Sequence, residues 1–245
     1  MKMKILAVDT STKTCSVAVV DNFSLLAEET LVSDQTHSRH LMGMINNVVT
    51  LSGCKFSDID GFAVTKGPGT FTGLRIGIST VKGLASALDK PVIGISGLNA
   101  LAMQTATSSL ICAMLDARRM EVYSGFYRYA ASDGKKRLLK NEVCETVLPV
   151  EQALSGISED CTFIGDGAVT YQETIIKILG ARAIFSPRCL NTLFASTVAY
   201  AALEKIQEKG FDTIEALVPC YIRKPDAKIP KNMPQKLLRN GDEIS

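Results

Sequence analysis

A chain of 245 residues is long enough for one large domain or two modest ones. With 46% hydrophobic residues, 21% charged residues and a formal net charge of +2, it reads as an ordinary soluble globular protein, and the balance gives no support for a dedicated nucleic-acid-binding surface. The seven scattered cysteines (Cys15, Cys54, Cys112, Cys144, Cys161, Cys189 and Cys220) are odd in number and lack C-x-x-C spacing, which fits reduced thiols in a cytoplasm better than a disulfide framework or a zinc site.

No apolar run approaches the length of a membrane span, and Ile5-Leu6-Ala7-Val8 reaches Asp9 too soon for a signal-peptide core. Lys4 to Val8 predicts a buried strand. Asp9-Thr10-Ser11-Thr12-Lys13-Thr14 is a polar turn, Cys15 to Val20 a second strand, and Asp21-Asn22 turns the chain into a third, roughly Leu25 to Leu31. The chain thus opens as a meander of hairpins with the polar turn at the tip of the first. Ser33 to Thr36 is a polar linker with a capping residue. Leu41, Met44, Ile45, Val48 and Leu51 then mark an amphipathic helix stopped at Gly53. Met42 and Val49 lie off that stripe, so the apolar face is wide enough either for a partner or for burial within the same domain.

Gly61-Phe62-Ala63-Val64-Thr65 predicts the next strand. It leads into Gly67-Pro68-Gly69-Thr70-Phe71-Thr72-Gly73-Leu74-Arg75-Ile76-Gly77, around which the rest is organised. Pro68 and Gly69 suit a tight turn, and Thr70 or Thr72 can cap the helix that follows. Three readings compete. A Walker A loop needs Lys-Ser or Lys-Thr where Leu74 and Arg75 stand; a dinucleotide fingerprint needs G-x-G-x-x-G where this chain has G-x-G-x-x-x-G; a tight strand-to-helix turn needs no ligand. Leu74, Ile78, Val81, Ala85 and Leu88 make a core-facing helical stripe. Gly77 and Gly83 lie inside that helix at about 1 kcal/mol each relative to Ala, which predicts close approach of another backbone, from this chain or another.

Pro91-Val92-Ile93-Gly94-Ile95 reads as a strand and Gly97 to Gln104 as a short helix. Near Leu110 the pattern begins again: a strand ending in Asp116, a turn at Ala117-Arg118-Arg119-Met120, a strand from Glu121 to Tyr129. A third strand, Arg137 to Val147, follows a turn at Ser132-Asp133-Gly134. Leu6-Ala7-Val8-Asp9, turn, strand is matched by Ala113-Met114-Leu115-Asp116, turn, strand, a weak internal duplication. Thr162-Phe163-Ile164 predicts a short strand, and Gly165-Asp166-Gly167-Ala168 echoes the Gly67 loop before a helix from about Thr170 to Leu179. A helix over Leu193 to Lys209 stops at Gly210. Val218 to Ile222 reads as a last strand or extended segment, and from Arg223 onward a Lys- and Pro-rich stretch reads as a surface tail.

Asp9 with Thr10, Ser11 and Thr12 is the strongest polar cluster. A carboxylate and hydroxyls on a hairpin suit phosphate or Mg²⁺-water contacts; the competing reading is an Asx-turn in which Asp9 bonds the backbone. No second acidic group is placed beside it by the sequence. His37 and His40, the only histidines, share an i,i+3 spacing but lack a third ligand at matching spacing, so metal binding is not expected. No nucleophile elbow, Ser-His-Asp order or Cys-His pairing emerges.

Together, Ile5-Leu6-Ala7-Val8-Asp9-Thr10-Ser11-Thr12, His37-Ser38, Gly67 to Gly77, Pro91 to Ile95 and Tyr221-Ile222-Arg223 closely resemble the bacterial TsaB (YeaZ) family over nearly the whole chain. The resemblance implies an α/β, actin-like ATPase fold (ASKHA, ribonuclease H-like) of two duplicated lobes, residues 1–105 and 106–222, with a surface tail at 223–245. It implies a cytoplasmic, non-catalytic subunit that pairs with a TsaD-like catalytic subunit, joined by a TsaE-like ATPase. Their product is N6-threonylcarbamoyladenosine at position 37 of ANN-decoding tRNAs, with tRNA met only through the complex and no membrane involved. Homodimers in isolation through helices of the first lobe are implied too, which places Leu41, Met42, Ile45, Val49, Ile76, Gly77, Thr80 and Gly83 at an interface. Asp9, Thr10, Ser11, Thr12, Gly67, Gly69 and Thr70 form the candidate nucleotide or anion loop. No cofactor is expected of the chain's own, and the boundary with partner subunits is the place left open for ATP or ADP.

Catalytic relatives carry a metal-binding H-x-x-x-H just after the strand that here is Pro91 to Ile95. The matching positions are Gly97 and Leu101, neither of which can ligate a metal. The rival reading is an autonomous ATPase or phosphotransferase using Asp9 and the Gly67–Gly73 loop. A third is a metal-dependent hydrolase using His37 and His40.

Overall fold

The computed structural model describes residues 3–33, 35–130 and 138–223. Two five-stranded sheets organise it. The first contains β1 (Ile5–Asp9), β2 (Thr14–Val20), β3 (Leu25–Val32), β4 (Gly61–Gly67) and β5 (Val92–Ser96), in the order β3-β2-β1-β4-β5. β1 runs antiparallel to β2 and parallel to β4, and β4 parallel to β5. The second contains β6 (Leu110–Asp116), β7 (Glu121–Ala130), β8 (Leu138–Pro149), β9 (Cys161–Ile164) and β10 (Ala183–Phe185). Read as β8-β7-β6-β9-β10, it repeats the first sheet in both order and strand sense. The weak sequence repeat is therefore a full topological duplication, the architecture expected of an actin-like chain.

Helices fill three layers. α1 (Leu41–Leu51) and α2 (Phe71–Leu88) cover one face of the first sheet, where Leu6, Val8, Val17 and Val19 meet Leu41, Ile45, Val48, Ile78 and Val81. The other face, with Ile5, Ala7, Ala18 and Val20, packs on α3 (Gly97–Met103) and α7 (Ala195–Lys209); these also meet Ile111, Ala113 and Leu115 of β6. One apolar core thus runs between the sheets. Behind the second sheet, α4 (Val150–Leu154), α5 (Asp166–Thr170) and α6 (Gln172–Leu179) enclose Cys112, Met114 and Phe163. Sandwiching by helices explains why Ile5 to Val8 of β1 are apolar without alternation.

Although α7 comes late in the chain, it docks on the first sheet. Its N-terminus has no cap of its own; Glu28 on β3 accepts the Ser196 N–H at 2.8 Å and hydroxyl at 3.0 Å, and Ser16 Oγ accepts the Ala195 N–H at 3.0 Å.

Several expectations need correcting. Leu51, counted in the helical stripe, is 73% exposed, and Val49, placed off it, is buried against the sheet. The helix after Gly165 begins at Asp166 rather than near Thr170, so the second glycine stretch is itself helical. Neither Thr36 nor His40 makes a side-chain cap for the turn and helix it precedes. Val218 to Ile222 forms no strand and joins no described sheet, and α4, β10 and the short 3-10 turns had no sequence signal. The Ser132-Asp133-Gly134 turn and nearly all of the tail lie outside the described residues. No described helix is long and apolar enough to cross a membrane.

Candidate functional site

β4 ends at Gly67, Pro68 and Gly69 turn the chain, and α2 starts at Phe71 with Thr70 as its cap, Oγ1 accepting the Gly73 N–H at 3.2 Å. The expected strand, turn and helix N-terminus are present. The glycines answer a packing demand. A Cβ on Gly69 would stand 2.4 Å from the Ser11 carbonyl oxygen, and one on Gly73 2.1 Å from that of Thr10. Gly67, at φ 143°, has the Cys220 carbonyl oxygen 2.4 Å from the same point. Thr10 Oγ1 donates to the Gly73 carbonyl at 2.7 Å and Thr70 N–H to that of Ser11 at 2.7 Å, so α2 is pressed onto the tip of the β1–β2 hairpin.

The two glycines inside α2 differ. At Gly77 a Cβ would lie 2.4 Å from Thr10 Oγ1, so the close approach there comes from this chain and from a side-chain hydroxyl, not from the backbone that was predicted. At Gly83 nothing lies within 4 Å. Gly83→Ala is expected to raise stability by up to about 1 kcal/mol through helix propensity, whereas Gly77→Ala should lower it. Thermal unfolding of the two variants in parallel checks the contrast; equal shifts would contradict it.

Asp9 is fully buried. Its Oδ1 accepts the Ser11 N–H at 3.2 Å and the Ser11 hydroxyl at 2.7 Å, which is the Asx-turn arrangement. Among the described residues Oδ2 has no hydrogen-bond partner, and Thr65 Oγ1 lies near without completing a bond of good geometry. Burial pushes the Asp9 carboxyl pKa up, opposed first by the Ser11 hydroxyl and then by Thr65. Burial, helped by the Asp9 charge, also pushes the Cys15 thiol up to about 12.

A cleft of about 790 Å³ opens between the two halves. Ser11, Thr12 and Thr70 line it from the first, Asp116, Arg118 and Asp166 from the second, and Asp9 is not among its lining residues. Asp116 repeats the Asp9 arrangement, its Oδ1 accepting the Arg118 N–H at 2.8 Å and the Tyr171 hydroxyl at 3.0 Å; Asp166 Oδ1 accepts the Asp116 N–H at 3.0 Å. The sequence reading did not nominate these two acids, although the duplication places Asp116 at the position of Asp9.

The histidines serve different ends. His37 Nε2 donates to the Thr12 carbonyl at 2.8 Å, supporting the hairpin tip, and His40 Nε2 lies 3.0 Å from Gln35 Oε1. Among the described residues no three His, Cys, Asp or Glu side chains are grouped to hold a metal. Gly97 and Leu101 are both buried, Gly97 against Thr65 and Leu193, Leu101 in the core between the sheets. Of the expected interface residues, Leu41, Ile45, Val49 and Gly77 are buried inside this chain, while Met42, Ile76, Thr80 and Gly83 keep accessible surface.

A family model described as "TsaD: tRNA N6-adenosine threonylcarbamoyltransferase" matches residues 25–231. The chain is similar to the tRNA threonylcarbamoyladenosine biosynthesis protein TsaB of Haemophilus influenzae, 31% identical over 231 residues that make 90% of this chain and 94% of that protein. It is 28% identical to TsaB of Bacillus subtilis over 92% of this chain and 96% of that one. Among solved structures it is similar to YeaZ from Pseudomonas aeruginosa, with a TM-score of 0.75, 30% identity and coverage of 89% of this chain and 99% of that one.

Proposed function

Because this chain belongs to the TsaB (YeaZ) family, we propose that it serves the formation of N6-threonylcarbamoyladenosine on tRNA as a non-catalytic subunit, steadying a TsaD-like transferase. The observation that carries the reading is the pair Gly97 and Leu101. Where catalytic relatives are expected to hold a metal, this chain has a buried position with no side chain and a buried apolar one, and neither supplies a donor atom. A TsaE-like ATPase is the second partner of this reading, and position 37 of ANN-decoding tRNAs is the site modified, with tRNA met only through the complex. In isolation the chain pairs with a second copy, to which Met42, Ile76, Thr80 and Gly83 are accessible. It has no cofactor of its own; ATP or ADP belongs to the boundary with its partners.

Reconstitution tests this. With tRNA, an adenylate-forming enzyme, the catalytic subunit and the small ATPase present, omission of this chain is expected to abolish modification, while the chain alone neither modifies tRNA nor hydrolyses ATP. Unchanged modification on omission would sink the proposal.

Asp9→Asn separates it from the autonomous ATPase reading, which needs the carboxylate. Asn keeps an oxygen for the two Ser11 bonds and places an N–H₂ where the unpartnered Oδ2 stands, within reach of Thr65 Oγ1. Modification should be unchanged and stability higher by about 1 kcal/mol near neutral pH. The sign follows from the raised pKa. A buried acid that binds its proton more tightly when folded stabilises the fold below the unfolded carboxylate pKa, and that stabilisation is lost as pH rises through the folded value. The advantage of Asn should therefore vanish in acid and grow with pH to a plateau in paired urea titrations. Loss of modification in a well-folded Asp9→Asn protein would favour the ATPase reading.

A further inference from the structure

The Tyr221-Ile222-Arg223 motif has no part in the function proposed above, yet it touches both sides of the cleft. The segment leaves the core of the first half at Leu217, which is buried among the residues under α1 and α2. Cys220 N–H donates to the Lys66 carbonyl at 2.6 Å, beside the glycine turn. Tyr221 stacks on Phe71 with ring centroids 5.1 Å apart, and its hydroxyl accepts the Arg75 Nε–H at 3.1 Å. The Arg75 guanidinium in turn sits 3.8 Å from the centre of the Phe71 ring. Two residues on, the chain is on the other half. Arg223 donates to the Ala117 carbonyl at 2.8 Å and pairs with the Glu121 carboxylate. Cys220 to Arg223 thereby form part of the cleft wall.

The receiving turn is strained. Arg118, Arg119 and Met120 all have positive φ, at 62°, 57° and 61°. Left-handed backbone disfavours side chains that carry a Cβ. Asp116 Oδ1 on the Arg118 N–H and the Val150 N–H on the Met120 carbonyl help to hold it. This conformation sets the Ala117 carbonyl and the Glu121 carboxylate at the two ends of one turn, both of which Arg223 grips.

The geometry points to a latch: residues 217–223 fasten the two halves along the wall of the cleft, with the Phe71–Arg75–Tyr221 stack as one anchor and the Ala117–Glu121 turn as the other. The two anchors are then coupled.

Hydrogen exchange of the full chain, read by mass spectrometry, tests the coupling from both ends. Glu121→Gln loosens only the second-half anchor and should speed exchange of the Cys220 amide, on the first half, about tenfold or more. Phe71→Leu loosens only the first-half anchor and should speed exchange across Arg118 to Glu121 to a similar extent. Strand β9 should keep its protection in both variants, as the check that the fold is intact. If each substitution changes exchange only on its own side of the cleft, the segment lies on the surface without joining the halves and the proposal fails.

Discussion

Gly165→Ala is expected to destabilise the protein by about 4 kcal/mol, from backbone strain of about 1–3 kcal/mol and overpacking of about 1–3 kcal/mol. Gly165 sits at φ 112°, where an L side chain is strained whatever the space around it. Its Cβ would also stand 2.2 Å from the Met114 carbonyl oxygen and 2.6 Å from Leu101 Cδ2. Met114 lies in β6, held by its pairing with Ser124 of β7, and is itself fully buried, so that carbonyl has little room to move. Gly73, in the corresponding strand-to-helix turn of the first half, offers the comparison. Its Cβ would be 2.1 Å from the Thr10 carbonyl oxygen, but it is helical, so Gly73→Ala carries the overpacking cost of about 1–3 kcal/mol without the strain. Gly43→Ala, with nothing within 4 Å on α1, should if anything stabilise. Urea denaturation followed by far-UV circular dichroism gives the order, the chain having no Trp to report by fluorescence. A Gly165→Ala protein within about 1 kcal/mol of wild type would contradict it.

The same two turns mark what the sequence could reveal. Short apolar runs bounded by turn residues located β1, β2, β4 and β5, which are buried along nearly their whole length, a period-3.6 stripe located α2, and the repeated strand-Asp-turn-strand announced the duplication. Asp9 was readable as an Asx-turn because its partner, Ser11, is two residues away. Less was readable where the deciding neighbour is remote. Gly77 and Gly83 look alike in sequence, and only the hairpin tip, some sixty residues upstream of Gly77, tells them apart. Leu51 falls on the helical stripe of α1, but there the helix has run past the sheet. The cleft joins Ser11 and Thr70 to Asp116 and Asp166, a juxtaposition that local periodicity does not encode. Val218 to Ile222 forms no strand, and its contacts are with the Phe71 ring and the Lys66 carbonyl, so local strand propensity could not decide between a strand and an extended segment.

Leu101→Ala is expected to cost about 2–5 kcal/mol, because truncation leaves a cavity in the wall between the two halves. Leu101 is fully buried on α3, in the one core shared by both sheets, and its Cδ2 fills the space that the missing side chain of Gly165 leaves open. Leu101→Met, nearly equal in volume, should cost less than about 1.5 kcal/mol. The pair separates volume from chemistry. If the position serves packing alone, Leu101→Ala protein held well below its lowered unfolding midpoint will support tRNA modification as the wild type does, and the loss will appear only in denaturation curves. If Leu101→Ala leaves stability within about 1 kcal/mol of wild type, α3 is not what joins the halves. If it instead abolishes modification while still folded, side-chain chemistry or a partner contact at this position matters, and the absence of a donor atom there no longer supports a non-catalytic role. The expected outcome is the first, since Leu101 shares an apolar core with Ile111, Ala113 and Ile164, where an imidazole would be buried among apolar neighbours.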